Sequence, residues 1–470
     1  MVINRLKSYL FSPVDGSFLV VFRIGFGIIM FWEVLRYWFN DWIYWLYIRP
    51  TFYFKYYGFE WVEPWPGDGM YYHFAVMGLL AVFISFGFLY RLSAILFCIA
   101  FSYIFLLDQT HYLNHFYLVI LVNILLIFLP ANRQFSVDAK LWPRIKDHCV
   151  PAWTLWILRA QFEILYLYAG IVKINSDWLN LEPLRTWLAS RADMPLMGYL
   201  YTQDWAVAVA AYGVIILHVV GAPLLLWRKT RLAIFIVYAG FHILNHFTFS
   251  IGIFPWFTLF GTLVFFDPDW PKQLWYRLRR LANKCAEAYN AGGIADGSQH
   301  TRVYYHERPW LQTSVLGIIT FWLLFQILVP LRHLLYPGNV SWNEQGHRFA
   351  WQMKLRDKEG FADFAIRDPA TGQSWYIKPE RFLTARQTIK MATQPDMILQ
   401  FAYYLEQLSS QHYQLDDVEV RVNNYVSLNG RQSAPMINPT VDLTRIERSL
   451  MPADWILPLQ VPLKQLAQNR

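Results

Sequence analysis

The sequence predicts a polytopic α-helical membrane protein of about nine spans, followed by a β-rich soluble module at its C-terminal end. Three observations carry that prediction. Only 16% of the 470 residues are charged, where a soluble protein carries about 25%, and 56% are apolar. The charges are also segregated: residues 332–470 hold 16 basic and 14 acidic residues, and the first 331 hold only 44 charges between them. Finally, the apolar residues fall into runs close to the roughly 20 residues that a spanning helix needs.

Those runs lie near 17–35, 70–88, 92–107, 115–130, 153–172, 206–227, 232–248, 252–266 and 312–331. Two of them, 92–107 and 252–266, are short enough to be tilted or re-entrant. Basic residues between the runs fix an orientation, because cytoplasmic loops collect Lys and Arg. Arg5 and Lys7 precede the first run, Arg91 follows the second, and Arg133, Lys140, Arg144 and Lys146 follow the fourth. Arg228, Lys229 and Arg231 follow the sixth, and Lys272 to Lys284 contains five basic residues and no acidic one. With nine spans all of these share one side. The N-terminus is then cytoplasmic and the C-terminal domain extracytoplasmic. The expected partition is a transmembrane catalytic domain over 1–331, with a cytoplasmic linker at 267–311, and an extracytoplasmic domain over 332–470. Within the linker, 285–308 contains GGIADGSQ and reads as flexible.

Beyond residue 340 the period changes. WQMKLRD and GFADFAIRD alternate apolar and polar residues as strands do, and DPATGQ has the chemistry of a hairpin turn. A helical stretch is expected over roughly 379–410, with a further strand at DVEVRVNNYVSL. Other classes fall away. Disorder needs low hydrophobicity, and Cys98, Cys149 and Cys285 are too few for a disulfide framework. The net charge of +8 is accounted for by the loops, so no nucleic-acid partner is expected. The first apolar run continues past Gly25 without a small-residue cleavage site, so no cleavable signal peptide is expected.

Ionisable groups inside apolar segments are costly and mark function by default. Lys173, in YLYAGIVKINSDW, ends an apolar run with no acidic residue before Asp177. Two readings fit it: a lysine snorkelling to the lipid boundary, or an amine in a dry cavity whose desolvation lowers its pKa and makes it a general base. HYLNH at 111–115 and HILNH at 242–246 each place two histidines on one helix face, with an asparagine before the second. That spacing suits interior hydrogen bonding or a metal. Arg23, Glu33, Arg159, Gln161 and Glu163 are also polar residues within the runs, and Arg159 and Glu163 are spaced to pair with each other. His73 and His218 read as isolated interior histidines. The aromatic loop 36–69 suits a lid, a docking surface for an apolar ligand, or the headgroup layer.

Several segments together resemble the vitamin K-dependent gamma-glutamyl carboxylases. They are FLLDQTHYLNHFYL, ANRQFSVD, YAGIVKINSDW, FHILNHFTFSIGIF and DPDWP, in that order, followed by WQMKLRDKEGFADFAIRDPATG. The likeness covers about 17–375 and rests on the agreement of separated motifs. It implies a membrane lyase that oxidises vitamin K hydroquinone with O2, uses the resulting strong base to take a γ-proton from a peptide glutamate, and adds CO2 to the carbanion. The products are γ-carboxyglutamate and vitamin K epoxide. The resemblance implies that Lys173, in the AG-x-x-K-x-x-x-DW motif, deprotonates the hydroquinone, with Val172 where the animal enzyme has a second lysine. It implies that His115, in N-H-x-Y-L, serves the carboxylation half-reaction. Asn114, Tyr166, Trp178, His242, Asn245, Phe249 and Ser250 are implied as residues binding the quinone or substrate. The implied partners are a glutamate-containing peptide, a prenylated quinone and membrane lipid, with no metal required. The shorter chain and the lack of a cysteine pair joining membrane region to C-terminal domain imply a prokaryotic form.

Two alternatives remain at this stage. Lys173 could support a quinol epoxidase that never carboxylates. A membrane oxidase could hold a metal on His111, His115, His242 and His246, in the manner of iron-dependent lipid desaturases, and metal content separates that reading from the first. A third class, a transporter or membrane scaffold, lacks the paired Gly/Pro-broken helices of inverted-repeat carriers.

Overall fold

The computed structural model describes residues 2–249, 251–286 and 309–463. The N-terminal part is a helical bundle: α1 Ser17–Phe39, α2 Gly69–Phe86, α3 Tyr90–Leu107, α4 Asn114–Phe128, α5 Trp153–Ile171, α6 Asp204–Leu226, α7 Arg231–Phe249, α8 Phe254–Phe265, α9 Trp270–Ala286 and α10 Pro309–Leu335. Among the described residues six of these, α1, α2, α3, α6, α7 and α10, are long and apolar enough to cross a membrane. Each of the nine expected runs forms a helix, but three fall short of an independent span. The helices α4 and α8 are too short. The third, α5, carries Arg159, Gln161 and Glu163 and is mostly buried. The doubtful run at 92–107 is a full 18-residue helix.

The polar helix is the centre of the bundle. α5 packs against α4, α6, α8 and α10, so its polar side chains meet protein rather than lipid. Close crossings depend on glycine. A β-carbon on Gly261 would sit 2.1 Å from the Phe162 ring, and one on Gly25 would sit 2.1 Å from the Phe260 ring. α1, α5 and α8 therefore lock together through aromatic rings resting on bare backbone. Arg159 does not pair with Glu163. It donates to the carbonyls of Val264, Phe265 and Phe266 at 2.9–3.0 Å, capping the C-terminal end of α8, where unsatisfied carbonyls favour a cation. Both carboxylate oxygens of Glu163 are buried without a hydrogen-bond partner among the described residues.

The C-terminal domain has a four-stranded antiparallel sheet in the order β2-β1-β3-β4, with β1 Lys358–Arg367, β2 Ser374–Ile377, β3 Glu419–Leu428 and β4 Ala434–Pro435. β1 pairs along its whole length with β3, from Lys358↔Leu428 to Arg367↔Glu419. Alternate residues Val420, Val422, Val426 and Leu428 face the core, against Ile398, Phe401, Ala402 and Leu405 of a helix over Pro395–Tyr413. Each such fully buried side chain contributes about 1.5–3 kcal/mol. DPATGQ forms the β1–β2 turn, with the Asp368 carboxylate accepting from the Ala370 amide and the Thr371 hydroxyl. The helical stretch expected at 379–410 is two helices, Ala385–Met391 and Pro395–Tyr413.

One other expectation is corrected. WQMKLRD is not a strand: Trp351 and Lys354 within it both have φ of 53°, and left-handed residues cannot continue an extended chain. In the expected linker, 270–286 is the helix α9, and 287–308 lies outside the described residues. The aromatic loop 36–69 contributes to both domains. Phe54 belongs to the core of the C-terminal domain, and Tyr47, Tyr56 and Val62 belong to the core of the bundle. Cys98 and Cys149 are free thiols.

Candidate active site

The end of α5 sets the geometry. After Ile171 the chain turns, with the Lys173 amide donating to the Gly170 carbonyl at 3.0 Å. Asn175 then caps the next short helix, Ser176–Leu179, by accepting from the Trp178 amide at 3.1 Å. The Lys173 side chain folds inward and is 5% exposed, so it does not snorkel. Its ammonium donates to the carbonyls of Ala169 at 2.9 Å and Met353 at 3.2 Å. It also lies 5.0 Å from the centre of the Trp178 ring. Trp178 is fixed in turn by donating to the Ala211 carbonyl at 3.0 Å. Among the described residues no carboxylate pairs with Lys173, and burial lowers its pKa from 10.5 to about 7.

This amine lies at the wall of a cavity of about 630 Å³ between α5, α6 and α7. Its lining is dominated by aliphatic and aromatic side chains, with a few polar groups: Lys173, His218, His242, Asn245 and Lys354. Such a mixture is typical of small-molecule sites. Tyr166 is held by donating to the Thr258 carbonyl at 3.1 Å and by its bond with the Thr262 hydroxyl at 2.6 Å. His242 Nδ1 meets the Thr258 hydroxyl at 3.3 Å, and its Nε2 is buried without a partner among the described residues. Buried polar atoms are usually satisfied, so this nitrogen is a ready contact for a ligand.

The cavity gathers Lys173, Tyr166, Trp178, His242, Asn245 and Phe249; Ser250 lies outside the described residues. His115 and Asn114 are not among its lining. The His115 ring packs on Phe254 with centroids 5.7 Å apart, and Phe254 is itself part of the cavity wall. Asn114 reaches the Gln352 carbonyl at 3.5 Å. His115 therefore sits behind one aromatic ring of the cavity wall.

HYLNH does not form the expected continuous helix face. His111 ends a 3-10 turn over Gln109–His111, and His115 lies in the first turn of α4. HILNH does lie within α7. The four histidines have separate surroundings: His111 contacts the Leu46 carbonyl, His115 contacts Phe254, His242 meets Thr258, and His246 packs on Trp256. Among the described residues no group of three or more His, Cys, Asp or Glu is arranged to hold a metal ion.

Sequence reasoning missed the segment 349–354, which joins the two halves of the site. Its Phe349 amide donates to the Tyr112 hydroxyl at 2.7 Å, its Gln352 carbonyl receives Asn114, and its Met353 carbonyl receives Lys173. The Lys354 ammonium lies 4.9 Å from the Trp187 ring centre and 4.7 Å from that of Phe249. Three left-handed residues in six are strained for side chains with a Cβ, and such backbone persists only where its surroundings over-determine it. A latch just beyond Lys173 was also missed. Asp177 accepts both terminal nitrogens of Arg431, at 2.6 and 2.7 Å, and the Asn429 amide at 2.7 Å. Nothing in KINSDW signals a partner some 250 residues away.

Comparison with known families agrees with this architecture. Residues 11–270 match the HTTM domain, and residues 311–461 match the lumenal domain of vitamin K-dependent gamma-carboxylase. The chain belongs to the vitamin K-dependent gamma-carboxylase family. No solved structure matches it. Membership makes the chain an enzyme of that family and a multi-pass membrane protein whose C-terminal domain is extracytoplasmic. Vitamin K and a glutamate-containing substrate are implied at the level of the family. The first match ends at Trp270, where α9 begins, and the second starts within the first turn of α10.

Proposed function

We propose that this carboxylase-family protein couples the oxidation of vitamin K hydroquinone by O2 to γ-carboxylation of a peptide glutamate, with Lys173 as the initiating base. The observation that carries the reading is the Lys173 amine, buried without a counter-ion among the described residues against an apolar cavity of about 630 Å³. The residues present fit a prenylated quinol. The aliphatic and aromatic lining suits its ring and tail, and Lys173 and His242 supply polar contacts for its two oxygens. When bound, vitamin K hydroquinone supplies, through its oxidation by O2 to the epoxide, the strong base that removes the γ-proton.

The chain's own residues perform the rest. Neutral Lys173 takes the hydroxyl proton of the hydroquinone onto Nζ, and the Ala169 and Met353 carbonyls stabilise the ammonium so formed. Tyr166, Trp178, Phe249 and the aliphatic wall exclude water, which would quench a strong base. Asn245, with Ser250 beyond it, contributes to holding the quinone. His115, packed on Phe254 of the cavity wall and flanked by Asn114, handles protons in the carboxylation half. There the glutamate γ-carbon loses a proton and gains a bond to CO2. No metal takes part. In membrane terms, 1–331 is the catalytic domain with a cytoplasmic N-terminus, and 332–470 presents the peptide from the other side.

The test of this division of labour is His115→Ala assayed for both products. Carboxylation is expected to fall far more than epoxide formation. Equal loss of both would refute the separate role of His115, and full retention of both would remove it from the reaction.

A further inference from the structure

A second cavity, of about 570 Å³, lies where the bundle meets the C-terminal domain, and it shares no lining residue with the cavity of Lys173. Tyr56, Tyr57 and Phe59 of the aromatic loop form one wall. Gln109, just past the end of α3, and Arg332, in the last turns of α10, form another. Residues 445–456 close it from the C-terminal domain. A cavity walled by the ends of two membrane helices lies at the membrane surface. Its rim is apolar although it faces outward. Leu450 and Met451 line the cavity and are 65% and 71% exposed, and Leu334 and Leu335 at the end of α10 are 70% and 80% exposed. The Tyr336 hydroxyl donates to the Leu450 carbonyl at 2.7 Å, which ties the two exposed pairs together. Clustered exposed apolar side chains mark a contact surface, and beside the end of a membrane helix the contact is lipid.

Inside the cavity two guanidiniums lack a carboxylate. Arg332 lies 5.5 Å from the centre of the Phe349 ring and donates to the Arg348 carbonyl. Arg348 lies 5.8 Å from the centre of the Tyr56 ring and donates to the side-chain oxygen of Gln394. Both are half-buried. Neither has an acidic partner among the described ion pairs, and Arg332 Nε is buried without a hydrogen-bond partner among the described residues. The carboxylates of the lining do not answer them. Glu344 is taken by Arg356 and Lys358, and Asp396 by Arg448. Arg445 has its own partners in Asp417 and Asp442. Glu447 and Asp454 are exposed and have no cationic partner among the described ion pairs. What stays uncompensated is two half-buried cations and two exposed anions, and the complement of that pattern is a ligand with one negative and one positive group.

We infer that this cavity binds the headgroup of a zwitterionic phospholipid of the extracytoplasmic leaflet, its phosphodiester held by Arg332 and Arg348 and its ammonium turned towards Glu447 and Asp454. Arginine suits the phosphate, because its planar fork donates to two oxygens at once. A free phosphate would engage the arginines and leave Leu334, Leu335, Leu450 and Met451 in water, whereas the acyl chains of a lipid cover them. The inference does not rest on the chemistry assigned to Lys173.

The experiment uses full-length protein, stripped of lipid in detergent and titrated with phosphatidylethanolamine or phosphatidylglycerol, with bound lipid counted by native mass spectrometry. Wild-type protein is expected to take up one phosphatidylethanolamine more tightly than any further molecule, and more tightly than phosphatidylglycerol, which lacks the ammonium. In Arg332→Gln/Arg348→Gln the affinity of that first molecule should fall by about tenfold or more. Both arginines also bond within the protein, so a second variant guards against misfolding. Leu450→Glu/Met451→Glu changes two exposed side chains, leaves those bonds in place, and should weaken the first molecule several-fold. Inorganic phosphate is tested by thermal unfolding of the same samples and should not raise the unfolding temperature where the lipid does. Equal affinity of wild type and both variants for the first phosphatidylethanolamine overturns the assignment. Stabilisation of wild type by inorganic phosphate, lost in the arginine variant and unaccompanied by lipid uptake, overturns it in favour of a free-anion site. Equal affinity for the two lipids overturns the placing of an ammonium at Glu447 and Asp454.

Discussion

Asp177 and Arg431 tie the turn that carries Lys173 to the C-terminal domain, and breaking that tie is expected to be costly. Both side chains are 7% exposed, and three hydrogen bonds of 2.6–2.7 Å reach the carboxylate. Burial pushes the Asp177 carboxyl up, but the hydrogen bonds from Arg431 and Asn429 and the charge of Arg431 outweigh it. They hold the carboxyl below its usual 3.8. Replacing Asp177 by alanine strands a buried guanidinium, which costs about 3–5 kcal/mol. If the C-terminal domain melts as a unit, that corresponds to roughly 6–20 °C in its unfolding temperature. The assay is thermal unfolding in detergent or nanodiscs followed by tryptophan fluorescence. Asp177→Asn with Arg431→Met, which removes both charges, should recover much of the loss, because a pair replaced by neutral groups is often close to neutral in stability. Since a depressed acid stabilises only while ionised, the latch is intact above about pH 4 and is lost as the pH falls through the lowered folded value. Asp177→Ala melting with the wild type would refute the reasoning.

Two further outcomes follow from the site. With Lys173 at about 7, the neutral base is about half populated at pH 7 and roughly one part in eleven at pH 6, so initial epoxidation rates should fall about fivefold over that unit and gain less than about twofold above pH 7; a flat profile would remove Lys173 as the titrating base. The same shift means that the folded state binds fewer protons than the unfolded chain between about 7 and 10.5, so this group's contribution to stability improves as pH rises through that window. Gly240 lines the cavity, and a β-carbon there meets nothing within 4 Å, so Gly240→Leu should fold normally and raise KM for the quinol several-fold; an unchanged KM would place the quinol elsewhere.

Much of the fold was legible because apolar length and loop charge are strong signals. Every expected run became a helix, and the alternation in GFADFAIRD and DVEVRVNNYVSL marked the two long strands. The failures have local causes. Arg159 and Glu163 have pairing spacing, but the carbonyls at the end of α8 offered Arg159 three acceptors at once. WQMKLRD has a strand's alternation, but the contacts of Gln352 and Met353 with Asn114 and Lys173, and of the preceding Phe349 with Tyr112, coincide with left-handed backbone that no pattern announces. Lys173 was visible as an unpaired charge at the end of an apolar run, and its inward rotamer was not. His218 read as an isolated interior histidine, yet it lines the cavity. The Arg431 latch joins residues far apart in the chain, where spacing carries no information.

The central claim is that the Lys173 amine starts the reaction, and one measurement addresses it most directly. Purified wild-type protein and Lys173→Ala are given vitamin K hydroquinone, O2, labelled bicarbonate and a glutamate-containing peptide, and epoxide and incorporated label are quantified in the same vessel. The account predicts both products from the wild type and neither from Lys173→Ala, with the two proteins unfolding at similar temperatures. Epoxide formed by a folded Lys173→Ala at close to the wild-type rate would contradict it.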